Sequence, residues 1–475
     1  MLKISVMNRT FEILPSTINL DEFHAMLEEL NVYNPYIGPI TTVYVHHVPS
    51  FGLPFYIGAA RHFRERAGKI FRMIPSGGKG TSLPQVFFST LGEAIERVIS
   101  IHLAENLRKE GKIFYAKAKE LLNKGEKILG PDNLYLFSKE QYATTGFPFQ
   151  PFTDDAYLGW IEGKNIITGE TIYAPAQLIV FGYRPIPKES LICYQGSAGL
   201  SLHIDDKHAI YHGTCEFIER DAINVRWVCK LPPKRVNINL AELCDFLQTK
   251  YRHVSFLHNP CIHWEIYDFS VDIPEVFVIV IHCLNKCYKS LKYMPGVGAA
   301  ISFPEAFDKA LREVAQTERL FAILPYFLRT LGDLPIEMRI APDAKYEEVN
   351  NLFKTLVYYG FDENLEKVEH FYSCASKETQ ISLSGYKAIQ SIDEKYNALL
   401  RAIKTKNLSW LAFNLTPPQF RKLKLYKIFI PELTSYFLVF PFLGHPRYYT
   451  VGLQIGEINR KLELADLNKD PVPFP

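Results

Sequence analysis

"HGTCEFIERDA", residues 212–222, decides how this chain is read. Glu216 and Glu219 stand three apart, with Arg220 immediately after. A second stretch, "STLGEAIER" at 89–97, repeats the pattern with Glu93, Glu96 and Arg97. On a helix, residues i and i+3 lie on one face with Cβ atoms about 5–6 Å apart. Each copy therefore projects a pair of carboxylates. The flanking sequences, "FFSTLGEAIERVISIHL" and "YHGTCEFIERDAINVRWV", are apolar enough for both helices to be largely buried. Buried carboxylates demand a compensating charge, and a hard divalent cation takes oxygen ligands. The plain alternative pairs Arg97 with Glu93 and Arg220 with Glu216 along half-exposed helices. The residues alone leave both readings open.

Working outward, "PSGGKGTS" at 75–82 reads as a turn or loop. Its glycines would free backbone N–H groups for phosphate oxygens, and Lys79 would add a mobile point charge. The spacing is not that of a Walker A loop. A long helix is expected from Leu83 to Leu107, with Pro84 in its first turn. A second spans about Asp206 to Val228. A third runs from Pro304 to Leu324 and carries "ALREVAQTER", where Glu313 and Gln316 again stand three apart.

The remaining pattern is a helical patch at "LDEFHAMLEEL", a strand at "TTVYVHHV", a polar helix over 115–127 and a hairpin over 165–183. A Gly/Ser-rich loop is expected over 194–206, strands broken by "DIP" over 253–284, and helices over 345–405. "HNPCIHWE" at 258–265 fits a half-buried strand better than a zinc site, because no second ligand cluster accompanies it. Strands interleave with helices throughout, which indicates a mixed α/β or α+β fold.

Of the 475 residues, 47% are hydrophobic and 22% charged, which excludes a disordered chain. A net charge of +2 gives no nucleic-acid or membrane signature. The eight cysteines include no Cys-x-x-Cys and read as reduced, mostly buried thiols. The longest apolar runs, such as "VFVIVIHCL" at 276–284, fall well short of the ~20 residues that span a bilayer. With no signal-like organisation at the N-terminus, a soluble cytoplasmic protein is expected.

In this order, "GGKGTS", "STLGEAIER", "TGETIYAPAQLI" at 168–179, "HGTCEFIERDA" and "ALREVAQTER" resemble the YcaO superfamily. The segment "NLTPPQFRKLKLYKIFIPELTSYFLVFPFLGHPRYY" and the ending "NKDPVPFP" resemble its D proteins, the azoline-forming cyclodehydratases. The resemblance covers most of 75–325 and 405–475. It implies a YcaO-type fold with mixed sheets and three site-bearing helices. It divides the chain into an unassigned N-terminal region (1–70), an ATP-binding core (71–330), a helical insertion (331–404) and a return to the core with a Pro-rich tail (405–475).

The cofactors implied are ATP and Mg2+. Glu93, Glu96, Glu216 and Glu219 would hold magnesium, and Lys79, Ser89, Arg220, Glu313 and Gln316 would contact the nucleotide. In the family the Pro-rich tail enters the active site, which points to Pro473 and the Pro475 carboxylate. Three prolines in five residues favour a stiff polyproline II chain. The implied reaction is cyclodehydration of Cys, Ser or Thr in a ribosomally made precursor peptide. A separate leader-peptide-binding protein is the expected partner, and a homodimer follows by family analogy alone. The sequence departs from the family pattern at Ala198, where Asn is usual, at His208, where Glu is usual, and at Glu318, where Arg is usual. The departures at Ala198 and His208 motivate one alternative, a non-catalytic scaffold; the other is a thioamide- or amidine-forming relative, which would be expected to lack the Pro-rich tail.

Overall fold

The computed structural model describes residues 2–6, 9–13, 40–48, 55–66, 69–80, 83–194, 196–251, 260–287, 292–331, 334, 338–383, 391–418, 420–435 and 440–474. Strands β1 (Leu2–Val6) and β2 (Arg9–Ile13) pair as an antiparallel hairpin. β3 (Ile40–Val48), β4 (Phe55–Arg66) and β5 (Lys69–Gly80) form an antiparallel meander. Helix α1 (Leu83–Lys109) follows directly. Next come β6 (Ile113–Lys117), short helices α2 (Ala118–Asn123) and α3 (Lys139–Ala143), β7 (Tyr157–Asn165), β8 (Thr171–Pro175) and α4 (Ala176–Ile179). β9 (Leu200–His203) leads into α5 (Asp206–Val228). After β10 (Lys234–Ile238), α6 (Leu240–Tyr251), β11 (Ile262–Asp268), β12 (Phe277–Asn285) and β13 (Gly296–Ala300) comes α7 (Phe303–Leu331). The chain closes through α8 (Leu352–Tyr358), α9 (Asp362–Ser373), β14 (Glu378–Ile381), α10 (Ile392–Thr405), β15 (Leu411–Asn414), β16 (Lys424–Phe429) and α11 (Arg447–Gln454).

Two larger sheets carry the architecture. One has the order β6-β7-β15-β16-β9, with β8 on the far side of β7. The other has the order β13-β12-β11-β10-β14 and is antiparallel except for the β10–β14 pair. The fold is thus mixed α+β, with helices set against mixed sheets.

α5 is the central helix, and its ends are written in the sequence. Asp205 caps it by accepting the His208 backbone N–H at 2.8 Å, and Arg226 sits in its last turn. Lys230, at φ 53°, and the Pro232–Pro233 pair then turn the chain away. Tyr211, Phe217, Ile223 and Trp227 are fully buried in a core shared by β7, β15, β16, α8 and α9. A second core packs α7 onto β12 and β13.

Behind α5, buried Arg447 of α11 bonds Asp221 through Nε and Nη2 at 2.7–3.1 Å and Asp272 through both Nη atoms at 2.6–2.9 Å. Asp221 also accepts from the Thr434 backbone and hydroxyl. This network fixes the back of the helix.

Four local expectations need correction. "GGKG" is the end of strand β5, paired with β4, and not a loop. Region 115–127 is strand β6 followed by a short helix, because β7 claims residues 113–117 as a partner. Region 194–206 contains strand β9, paired with β16. Cys261 and Cys287 are disulfide-bonded with Cα atoms 5.2 Å apart, so not all the thiols are reduced. The β11–β12 register, Ile262 opposite Asn285, brings them within bridging reach across 26 residues. The expected helix at "LDEFHAMLEEL" lies outside the described residues. Among the described residues no helix is long and apolar enough to cross a membrane.

Candidate active site

Two glycines set how closely the site's elements approach. A Cβ on Gly78 would lie 2.2 Å from the Thr90 backbone nitrogen of α1, and one on Gly77 would lie 2.5 Å from Gln316 Nε2 of α7. β5 therefore runs between α1 and α7; glycine is required by packing at 78, against the Thr90 backbone, while at 77 a side chain would displace Gln316. Lys79, between these walls, donates from Nζ to Glu313 Oε1 at 2.6 Å. The other oxygen of Glu313 accepts the Val297 backbone N–H at 3.0 Å. The Lys79 backbone N–H points at Ser89 Oγ, 3.4 Å away.

α1 and α5 carry the carboxylates. Burial raises all four in pKa, and the Arg on each helix opposes it. Glu96 is pushed up to about 8 and Glu219 up to about 7. Glu216 raises both Glu93 and Glu96, so the two helices present their acids to each other. Glu93 keeps 38% of its side chain exposed, and its desolvation comes from cleft walls around it. Backbone N–H groups oppose the effect of burial at two of them, that of Gly77 at Glu93 and that of Gly199 at Glu216.

The cations are interleaved with the acids. Arg97 Nη1 lies 3.3 Å from Glu96 and Nε 3.9 Å from Glu93, while Arg220 Nε lies 3.6 Å from Glu219. The plain alternative's Arg97–Glu93 pair is thus present and half-exposed, whereas Arg220 pairs with Glu219, and Glu96, Glu219 and Arg220 are each no more than 16% exposed.

The sequence reading missed one member. Lys427 of β16 is buried and donates from Nζ to the carbonyls of Gly196 at 2.7 Å and Ala198 at 2.6 Å. Burial pushes its pKa down to about 8, against the pull of Glu216 and Glu96. A signal was present: Lys427 shares a strand face with buried Leu425 and Phe429, where an apolar residue belongs.

The structure thus brings together Lys79, Ser89, Glu93, Glu96, Glu216, Glu219, Glu313 and Gln316, with Arg220 beside them. Pro473 is buried elsewhere, beyond the C-terminal end of α5, and Pro475 lies outside the described residues.

The same face of α5 continues from Glu219 and Glu216 through His212 to His208. His208 holds Asp205 through Nδ1 at 2.7 Å and stacks on His203, whose ring also stacks on His212. Burial pushes His203 down to about 4 and His212 well below its ordinary value. The ring planes lie within 13° and 9° of parallel, so their in-plane lone pairs do not converge on a point. Among the described residues no three His, Cys, Asp or Glu side chains are gathered closely enough to hold a metal ion as they stand.

Fold and site together define a nucleotide-dependent enzyme built on paired acidic helices. Residues 77–434, more than half of the chain, match the family model described as "YcaO cyclodehydratase, ATP-ad Mg2+-binding". The chain belongs to the YcaO family, and its cofactors are ATP and Mg2+. No curated protein matches the sequence.

Among solved structures, the fold is similar to a "Heterocyclase in complex with substrate and Cofactor", with TM-score 0.69 and 18% identity over 95% of this chain. This chain spans 57% of that one. It is also similar to "The structure of YcaO from Methanopyrus kandleri bound with AMPPCP and Mg2+", with TM-score 0.56 and 17% identity over 90% of this chain and 94% of that one. A third similarity is to a chain of the "E. coli Microcin synthetase McbBCD complex with pro-MccB17 bound", with TM-score 0.55 and 15% identity over 93% of this chain and 98% of that one.

The residues present fit these cofactors. An all-oxygen donor set suits Mg2+, and the raised carboxylates are those a divalent cation would return to the charged form. A pH dependence follows. Glu96 and Glu219 bind protons more tightly in the fold than at the ordinary carboxylate value of 4.5. Their contribution to stability is full below 4.5 and is lost as pH rises through about 7 to 8. With magnesium chelated, the melting temperature is expected to fall across that window, and added Mg2+ to remove the fall. A flat melting profile with chelator would show that the acids do not share a dry cleft.

Proposed function

We propose that this chain activates backbone amides of a ribosomally made precursor peptide with ATP, cyclodehydrating Cys, Ser or Thr to thiazoline or oxazoline. The observation that carries the reading is the pair of acidic helices, α1 and α5, closed by the Lys79–Glu313 pair from β5 and α7. Glu93, Glu96, Glu216 and Glu219 would hold magnesium; Lys79, Ser89, Arg220, Glu313 and Gln316 would contact the nucleotide. When bound, Mg-ATP supplies the phosphoryl group that the amide oxygen takes before leaving as phosphate. The protein's part is to orient that oxygen and keep the cleft dry, while Arg220 and Lys79 offset the negative charge. The substrate side chain is the nucleophile, in keeping with the lack of a nucleophile motif in the sequence.

The partner is proposed to be a separate leader-binding protein; the similarity to a chain of a multi-protein synthetase with its pro-peptide bound supports this. Departures at Ala198 and His208 motivate a second reading, in which the chain serves a complex without turnover; a thioamide- or amidine-forming enzyme is the remaining alternative, one expected to lack the Pro-rich tail. One experiment separates them. The chain is incubated with Mg-ATP, its partner and a Cys-rich candidate peptide, and the peptide is weighed. Loss of one water mass per event is expected; sulfur or amine incorporation would move the assignment within the family. No mass change and no phosphate release would leave the scaffold reading.

A further inference from the structure

Behind α5 lies a cavity of about 500 Å³ that the acidic cleft does not use. Small-molecule sites usually measure ~300–1,000 Å³. Leu129, Ile172, Leu408 and Leu411 give it apolar walls, and buried Arg447 of α11 lies at its floor. Tyr135, 42% exposed, and exposed Glu432 stand at its mouth.

The charges around it do not balance. Arg447 is shared between two carboxylates, Asp221 behind the wall and Asp272 in it. Glu432 is a third, and its two oxygens accept the Ser409 backbone N–H at 3.0 Å and the Ser409 hydroxyl at 2.7 Å. His445 also lines the cavity and adds no cation. Burial lowers its pKa, its Nδ1 accepts the Arg447 backbone N–H at 3.2 Å, and its Nε2 donates to the Pro431 carbonyl at 2.9 Å. Exposed Lys406 acts on Asp272 and offsets one charge. One negative charge is left over against apolar walls. A carboxylate has about four acceptor sites, so Asp272 and Glu432 keep room for a further donor beyond Arg447 and Ser409. The Tyr135 ring offers a face to a cation beside them.

We propose that this cavity binds an organic cation on an apolar stem, the chemistry of a Lys or Arg side chain or of a free alkylamine, and that its occupant is coupled to the acids of the cleft through Arg447. The stem lies along Leu408 and Leu411, and the cationic head meets Asp272 and Glu432. Arg447 carries the coupling. It holds Asp272 in the cavity wall and Asp221, the residue after Arg220, on α5. A cation that takes part of Asp272 leaves more of Arg447 to Asp221, so the back of α5 tightens when the cavity fills. Linkage makes the effect reciprocal: Mg2+ in the cleft changes the affinity of the cavity by the same factor.

The test is calorimetry on the full chain with butylguanidinium and pentylamine as probes, and pentanol and pentanoate as neutral and anionic controls. Saturable binding of one cation per chain is expected, with neither control binding. Leu408→Trp, which fills the cavity, should abolish it at an unchanged melting temperature, and Glu432→Gln should weaken it by up to about fivefold, the range for an exposed ion pair. With the probe saturating, the Kd for Mg2+ should shift by at least about fivefold, the low end of coupling between sites. Acetyl-Leu-Arg-amide binding more tightly than butylguanidinium would assign the occupant to a basic side chain of a peptide, and the reverse to a free amine. No saturable binding, equal binding of pentanoate, or full binding to both variants overturns the site. Binding with an unmoved Mg2+ affinity overturns the coupling. None of these readouts depends on turnover of a peptide.

Discussion

Glu93→Gln or Glu216→Gln is expected to lower ATP turnover by about 10²–10³-fold, the range for removing one preorganised electrostatic contact. Neither should lower the melting temperature. Both carboxylates are raised in pKa by burial, and Glu93 is raised further by Glu216. A neutral amide of the same shape escapes that desolvation and repulsion. Stability should therefore hold or rise in the metal-free protein while Mg2+ stabilises it less. The opposite split, normal turnover with a lower melting temperature, would mean that Arg97 and Arg220 simply complete structural ion pairs. Calorimetric Mg2+ titration of each variant separates loss of the metal from loss of the fold.

How much of this could be read in advance varied with the range of the interaction. α5 was legible to the residue: Asp205 caps it, its apolar face is continuous and two prolines follow its end. The mixed architecture and the three long helices were likewise legible from periodicity. The glycines of "GGKG" were not. They serve the contact of β5 with Thr90 of α1 and Gln316 of α7, a tertiary demand that looks in sequence like loop flexibility. The Cys261–Cys287 pair depends on a strand register that spacing does not reveal. The His203–His208–His212 stack joins a strand to a helix, and only the fold places those rings in contact. The paired acids were visible because helix geometry alone puts each pair on one face, whereas their facing across the cleft needed β9 and β16 to position α5.

Lys427→Met is expected to lower peptide-dependent turnover by roughly 10- to 100-fold, the range for residues that support ligating groups without being ligands. Methionine keeps most of the side chain's length and volume, so packing changes little. What disappears is one buried ammonium on which two carbonyls and two carboxylates depend. The Gly196 and Ala198 carbonyls lose their donor, and buried groups left without a partner cost about 1–3 kcal/mol each. Glu96 and Glu216 lose a counter-charge, so their pKa values should climb further. The loop that ends at Gly199 is released, and with it the N–H that reaches Glu216; Gly199 sits at φ 79° against the Ile428 carbonyl, a posture that the strand pairing holds. The magnesium concentration needed for half-maximal turnover should therefore rise more than the KM for ATP. Lys427→Arg should not rescue: the site is 3% exposed, and a planar guanidinium needs room that the two carbonyls do not leave. A Met variant with unchanged Mg2+ dependence would make Lys427 a structural tie for the loop, with no hold on the acids.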